Sequence, residues 1–380
     1  MPRSAHVRLA KTTNVQLSKI FFEYRTPNEK EFKKLNQQSI IVLDTNVLLD
    51  LYRLPVNNAV KILAAIDKLK ERIWVPHQVA EEFSRDRRIV IENQKKDYER
   101  FISSLKQWLG TDFDGEKNKT GKYKLESTWG VKSYHHPFLD IGTYINRIEK
   151  YFNRVIKEVE KLNKQHIDRQ KNDEIFAKLD KLFKGKIGAG LPKEQLDNEN
   201  GVYGNGPSSG EARYSFEIPP GFADAKEKDK TDPTHKQKFG DLIIWYELIE
   251  KARVAKKSVV FITGEGKKDW WWENHGAKFG PHYMLQREFY EKTNGMNFYI
   301  YRTDEFLSKL ELFGASKIDA AIINEARRII ELNEIAKAID ATRVGISSQQ
   351  KINSAKTPIS SSSQNDQEII GIPEVGEVKQ

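Results

Sequence analysis

Cysteine is missing from all 380 residues, which excludes disulfides, thiol nucleophiles and Cys-ligated zinc in one step. Long apolar runs are missing too. None approaches the roughly 18 residues that a membrane span needs, and the opening MPRSAHVRLAKTTNVQ has no apolar core of the signal-peptide kind. The expectation is a protein that does not enter a membrane and works in the cytoplasm. No Walker A lysine motif or HExxH pair occurs, and the GxSxG match Gly206-Pro207-Ser208-Ser209-Gly210 is no nucleophile elbow because no apolar strand precedes it, so the motif-borne routes through a serine nucleophile, a P-loop or a zinc-binding helix have no support. His135-His136 stand before Pro137 and read as loop residues.

What is present is charge. Lys and Arg outnumber Asp and Glu, giving a formal net charge of +9 and a pI near 9.2. Such an excess suits a polyanionic partner, although solubility alone could account for it.

Apolar patterning divides the chain. Ile40–Leu43 is a continuous apolar run like a strand covered on both faces, and a helical pattern follows Asp44-Thr45-Asn46. Residues 58–72 predict an amphipathic helix, 72–76 a second strand, and the stretch after Pro76 another helix. Ser258–Thr263 and Asn297–Tyr301 predict further strands, with helices from Asp241 to about Lys256 and from Leu285 to Lys292. Strand and helix in alternation point to an α/β core with a parallel sheet.

The middle interrupts this pattern. Residues 85–109 and 140–186 are charged and helical in pattern. Ile145, Ile148, Phe152, Val155, Val159 and Leu162 are spaced 3, 4, 3, 4, 3, a heptad-like seam that suits a helical hairpin within the chain or a coiled coil between chains. Residues 185–238 are rich in Gly, Pro, Asn, Asp and Lys and predict long loops. The expected organisation is an N-terminal helical extension (1–37), an α/β domain in two pieces (38–110 and 205–312), a helical insertion and loop (111–204), a C-terminal helix (313–344) and a Ser-rich disordered tail (345–380).

Several carboxylates stand where strands end or helices begin, the place where ligands gather on an open α/β sheet. Asp44 ends the first strand, Asp241 opens a helix after Gly240, and Glu265 and Asp269 follow the strand that stops at Thr263. Glu82 lies on the helix after the second strand. Each alone could be a helix cap or a solvated acid. Together, in a basic protein, they suit a hard cation and a phosphodiester held in one place.

The ordered set VLDTNVLLDLYR, VPHQVAEEFSRDR, PPGFADAKEK, FGDLIIWYELIEKA and FITGEGKKDWWWE resembles the PIN-like domain family of bacterial nucleases. The resemblance covers roughly residues 38–110 and 210–305. It implies a three-layer α/β/α fold with a parallel central sheet, interrupted here by the charged insertion. It also implies hydrolysis of RNA or DNA with Mg²⁺ or Mn²⁺, in a phage-defence or toxin-like setting and beside a regulatory protein partner. By position, Asp44, Glu82 (or its neighbour Glu81), Asp241, Glu265 and Asp269 match the metal-binding acids, with Asp44, Glu82, Asp241 and Asp269 as the catalytic set. Asn46 and Thr263 match supporting polar positions, and Asp224 belongs to the pattern through loop shaping, a bond to a ligand, or metal contact.

Gly264-Glu265 stands where relatives often carry Asp. A carboxylate set one methylene further out favours Mn²⁺ over Mg²⁺, unless Glu265 faces water and Asp269 alone serves the metal. The same departure keeps a second reading open, a catalytically weakened nucleic-acid-binding or regulatory module. An aspartyl phosphatase is a poor third, because Asn46 stands where that chemistry usually has a second acid. For nucleic-acid contact the candidates are Arg85, Arg87, Arg88 and Trp270. Their plain alternatives are a solvated helix face for the arginines and core packing for one or two of Trp270, Trp271 and Trp272.

Overall fold

The computed structural model describes residues 16–108, 141–264 and 266–336. Met1–Glu331 forms one compact unit. Of the second unit, Leu332–Gln380, residues 332–336 are described and are helical.

A short turn of helix, Leu17–Ile20, precedes α1 (Glu29–Gln38). α1 starts at a reciprocal cap: Asn28 Oδ1 accepts the Glu31 amide at 3.1 Å and Glu31 Oε2 accepts the Asn28 amide at 2.8 Å. β1 (Ile40–Leu43) follows, then α2 (Thr45–Arg53) and α3 (Val56–Asp67). α4 (His77–Trp108) runs for 32 residues and packs against α5 (Ile141–Lys171). After α6 (Glu174–Phe183) the chain crosses a loop-rich stretch holding α7 (Gly210–Ser215) and α8 (Ala225–Thr231). Then come α9 (Gly240–Ala255), β2 (Val259–Thr263), β3 (Trp271–Asn274), β4 (Ala277–Pro281), α10 (Tyr283–Lys292), β5 (Phe298–Arg302) and α11 (Thr303–Ser308).

β1, β2 and β5 form a parallel sheet in the order β1-β2-β5, with Leu43 opposite Ile262 and Thr263 opposite Arg302. Every residue of β1 and β2 is buried. Because successive side chains point to opposite faces, helices must cover both sides, giving the mixed α/β architecture expected. Asp44 and Thr263 are thereby brought to the same, carboxyl, end of adjacent strands.

The expected strand at 72–76 is only a pair of isolated bridges. Ile73 pairs with Ile41 of β1, whereas Val75 pairs with Ile187 on the other side, so neither ladder extends. The heptad-like seam is also off register on α5. Ile148 and Leu162 are 40% and 48% exposed, whereas Ile156, absent from that seam, is buried. The packing of α4 on α5 is the hairpin alternative realised within the chain. The β3–β4 hairpin was not anticipated. Its His275-Gly276 corner has φ of 51° and 80°, the two consecutive positive values that a tight two-residue turn requires. The predicted C-terminal helix is present over 320–336. Residues 314–319 of the expected helix are turn and irregular chain instead, and its remainder from 337, the expected tail and the insertion over 109–140 lie outside the described residues. Among the described residues no helix is long and apolar enough to cross a membrane.

Candidate active site

At the end of β1 the Asp44 amide donates to Ile262 O of β2 at 2.9 Å, which pins the turn into α2 against the sheet. Asp44 Oδ1 accepts the Thr45 amide at 2.8 Å and so caps α2. Asp44 Oδ2 accepts Asn46 Nδ2 at 2.6 Å and Thr263 Oγ1 at 2.7 Å. Asn46 Oδ1 in turn accepts the Gly264 amide at 2.7 Å. Asp44, Asn46 and Thr263 are thus one hydrogen-bonded unit across the two strands. The helix cap and the links to Asn46 and Thr263 coexist, each using one carboxylate oxygen.

Glu82 joins this unit to α9. Its Oε2 accepts Thr45 Oγ1 at 2.8 Å and its Oε1 accepts Gln78 Nε2 at 2.9 Å. On its other side lies Gly240, where a Cβ would come within 2.4 Å of Glu82 Oε1. A glycine immediately before Asp241 therefore lets the Glu82 carboxylate approach the start of α9. Burial pushes the Glu82 carboxyl above its usual range; the Asp241 charge adds to this, and donors from Gln78 and Thr45 only partly offset it. Glu81 is exposed on the same helix, whereas Glu82 is the one of the two acids tied to Thr45 and Gln78.

Asp241 faces a second group of side chains. Lys267 Nζ lies 2.6 Å from Asp224 Oδ2 and 3.3 Å from Asp241 Oδ2. Lys228 Nζ lies 3.3 Å and 3.8 Å from the same two oxygens. Burial alone would lower the Lys228 amine, but Asp241, Asp224 and Glu82 raise it above its usual range, so it is charged at neutral pH.

Asp224, whose role the sequence left open, and Asp269 sit differently around Asp241. Asp224 meets Asp241 across the two ammonium groups. Asp269 is fully buried, and its Oδ2 accepts the amides of Gly221 at 2.7 Å and Ala223 at 3.2 Å, holding the loop that delivers Asp224. Burial, followed by the Asp241 charge, raises the Asp269 carboxyl. Its Oδ1, like Asp224 Oδ1, is buried without a hydrogen-bond partner. Gly221 has φ of 97°, and a Cβ there would meet the Tyr214 hydroxyl at 2.3 Å, so glycine is needed for both conformation and space.

Trp270 is not a stacking platform. It is 3% exposed, stacked on Phe261 at 4.9 Å and set edge-on to Trp245 at 6.2 Å in the core. Trp271 is buried as well, and the partly exposed member is Trp272, which meets Tyr24, Phe279 and Tyr283. Arg87 is also engaged internally: it pairs with Asp173 at 3.1 Å and lies 3.9 Å over the Phe176 ring. Arg85 is exposed and paired with Asp86, and Arg88 is exposed. Glu265 lies outside the described residues.

The sequence reading missed Thr45, Gln78, Asp50, Lys228 and Lys267. Asp50 stands one helical turn beyond Asn46, and a Cβ on Gly264 would lie 3.3 Å from both Asn46 Oδ1 and Asp50 Oδ2. The i, i+4 spacing of Asn46 and Asp50, and of Gln78 and Glu82, was a signal that could have found two of these residues. The lysines had no such signal, since Lys228 and Lys267 are two among many in charged segments.

The PIN-like domain model matches residues 40–285, a span that contains every residue of this site. The chain belongs to the PIN-like domain family. Searches of curated proteins and of solved structures gave no match. The PIN-like match brings a nuclease-type fold, whose acids here come from both sides of the helical insertion.

Proposed function

We propose that this PIN-like chain is a metal-dependent nuclease hydrolysing phosphodiester bonds of RNA or DNA. The observation that carries it is the path Asp44–Thr45–Glu82–Gly240–Asp241, which joins acids from both pieces of the PIN-like domain into one centre at the carboxyl end of the sheet. The donor set fits Mg²⁺ or Mn²⁺, because it consists of hard oxygens. Asp224 and Asp241 share two ammonium groups, the Glu82 and Asp269 carboxylates interact with one of these each, and Asp224 and Asp269 each keep a buried oxygen with no hydrogen-bond donor. Asp44, Glu82 and Asp241 would hold the ion, with Asp224 beside Asp241 and with Glu265 added by the family resemblance. A divalent ion in such a site makes water nucleophilic near neutral pH and neutralises charge on the phosphodiester.

The chain's own groups supply the rest. Asn46, Thr263 and the Thr45 amide fix the Asp44 carboxylate in one orientation. Arg85 and Arg88, exposed on the helix that carries Glu82, are the arginines placed to meet phosphates. The resemblance extends this reading to a phage-defence or toxin effector controlled by a protein partner.

A second reading has its own support. Among the described residues, no three His, Asp or Glu side chains form a ready-made ligand group, and two lysines bridge Asp224 and Asp241 instead. That arrangement suits a nucleic-acid-binding module with weakened catalysis. Digestion of matched single- and double-stranded RNA and DNA with Mg²⁺, Mn²⁺ or EDTA separates the two. The nuclease reading expects ion-dependent cleavage of at least one substrate. Binding without cleavage in every arm would leave the module.

A further inference from the structure

The acidic centre already contains cations of its own. Lys228 and Lys267 come from different segments, one a helical turn beyond Asp224 on α8 and the other from the stretch after β2. Both ammonium groups nevertheless lie on the same two oxygens, Asp224 Oδ2 and Asp241 Oδ2, at 2.6 to 3.8 Å. Two carboxylates turned toward each other in a partly buried site repel unless positive charge stands with them. Two ammonium groups supply two positive charges, as one divalent ion does.

The carboxylates and the amines differ in how they are held. Asp241 is in the first turn of α9, and Asp224 ends the loop anchored by Asp269. Both acids are on short stems, whereas each lysine reaches the centre through a flexible four-carbon chain that can swing away. Asp224 Oδ1 is also buried with no donor, so this carboxylate keeps an oxygen that the lysines do not satisfy.

We infer that Lys228 and Lys267 are displaceable stand-ins for a divalent ion: they hold Asp224 and Asp241 together until the ion takes over, and so set the metal threshold of the site. The inference rests on the metal-dependent reading proposed above. It assigns these lysines a positioning role in competition with the ion. The rival placement, in which they stay in position and support ion or substrate, is an outcome of the test.

The test is Mn²⁺ titration calorimetry on the full chain, repeated with Ca²⁺, alongside thermal unfolding in EDTA and in saturating Mn²⁺. Lys228→Met and Lys267→Met should each bind the ion about tenfold more tightly, the scale set by removing one adjacent positive charge. Each should also melt earlier than wild type in EDTA and recover that loss in saturating Mn²⁺. Lys228→Arg and Lys267→Arg keep the charge and should bind with wild-type affinity, which separates competition from general damage to the fold. Unchanged or weaker ion binding in both folded Met variants would overturn the inference. Asp241→Asn tells the two failures apart. If it weakens Mn²⁺ binding while the Met variants match wild type, only the stand-in role fails. If wild type shows no Asp241-dependent binding, the metal reading fails and the stand-in role with it.

Discussion

Glu247, on α9, is a buried carboxylate outside the proposed metal-binding set. Its Oε2 accepts the Gln78 amide at 3.3 Å near the start of α4. Burial pushes its carboxyl up from 4.5 to about 7, and the Glu81 and Glu82 charges add to the shift. Well below pH 4.5 the group is neutral in both folded and unfolded chains, and its ionisation then contributes nothing to stability. As pH rises toward 7 the unfolded chain ionises first, so the folded chain loses relative stability; above 7 the loss is complete and level. Glu247→Gln should therefore stabilise the protein more at pH 8 than at pH 5, by on the order of 2 kcal/mol, as read from urea unfolding at the two pH values. An equal effect at both would mean that the carboxyl is not held neutral. The tryptophans make a second residue-scale contrast. Trp270→Ala opens a cavity among Phe261, Trp245 and Phe298 and should cost about 3–5 kcal/mol. Trp272→Ala, at a partly exposed position, should cost much less in the same unfolding measurement. The sequence could not rank these neighbours, because three consecutive aromatics carry no period that says which faces inward.

At the scale of elements, the start of α9 links fold to site. Gly240 has φ of −51° and ψ of −49°, ordinary helical values that alanine adopts without strain. The obstacle is the Glu82 carboxylate, which an added Cβ would meet at 2.4 Å and push aside. Gly240→Ala should keep or slightly raise the melting temperature while lowering cleavage at least about tenfold, since small displacements at a reacting centre are costly. A wild-type rate in the folded variant would show that the position of Glu82 is unimportant. The strands β1 and β2 were legible because burial on both faces demands an apolar run with no alternation, and β5 because its run is aromatic and β-branched. The 72–76 segment looked similar but divides its hydrogen bonds between two neighbours, a tertiary fact with no local signature. The hairpin did leave a mark, in His275-Gly276, although its strands have burial too irregular to read as alternation. On α5 the buried face includes Ile156, one position from Val155, so the packing follows the neighbour α4 rather than the ideal heptad.

Across the whole molecule, the chain carries a net charge of +9 around a centre of carboxylates. Asp44, Glu82 and Asp241 were legible from their places at strand ends and helix starts, which the topology brings to one edge of the sheet. Which of Asp224 and Asp269 turns toward Asp241 was not, because a loop's path decides which acid faces the centre and which holds the backbone. Nor were the lysines, whose part is visible only once Asp224 and Asp241 are seen to share them. The central claim is that acids separated by the helical insertion act together on a phosphodiester. Its most direct test is single-turnover cleavage by the Asp44→Asn/Asp241→Asn double variant in saturating Mn²⁺, with wild type in Mn²⁺ and in EDTA as references and circular dichroism to verify the fold. The expected result is cleavage by wild type, its loss in EDTA, and a fall of at least about a thousandfold in a folded double variant. A folded double variant that cuts at the wild-type rate would contradict the account.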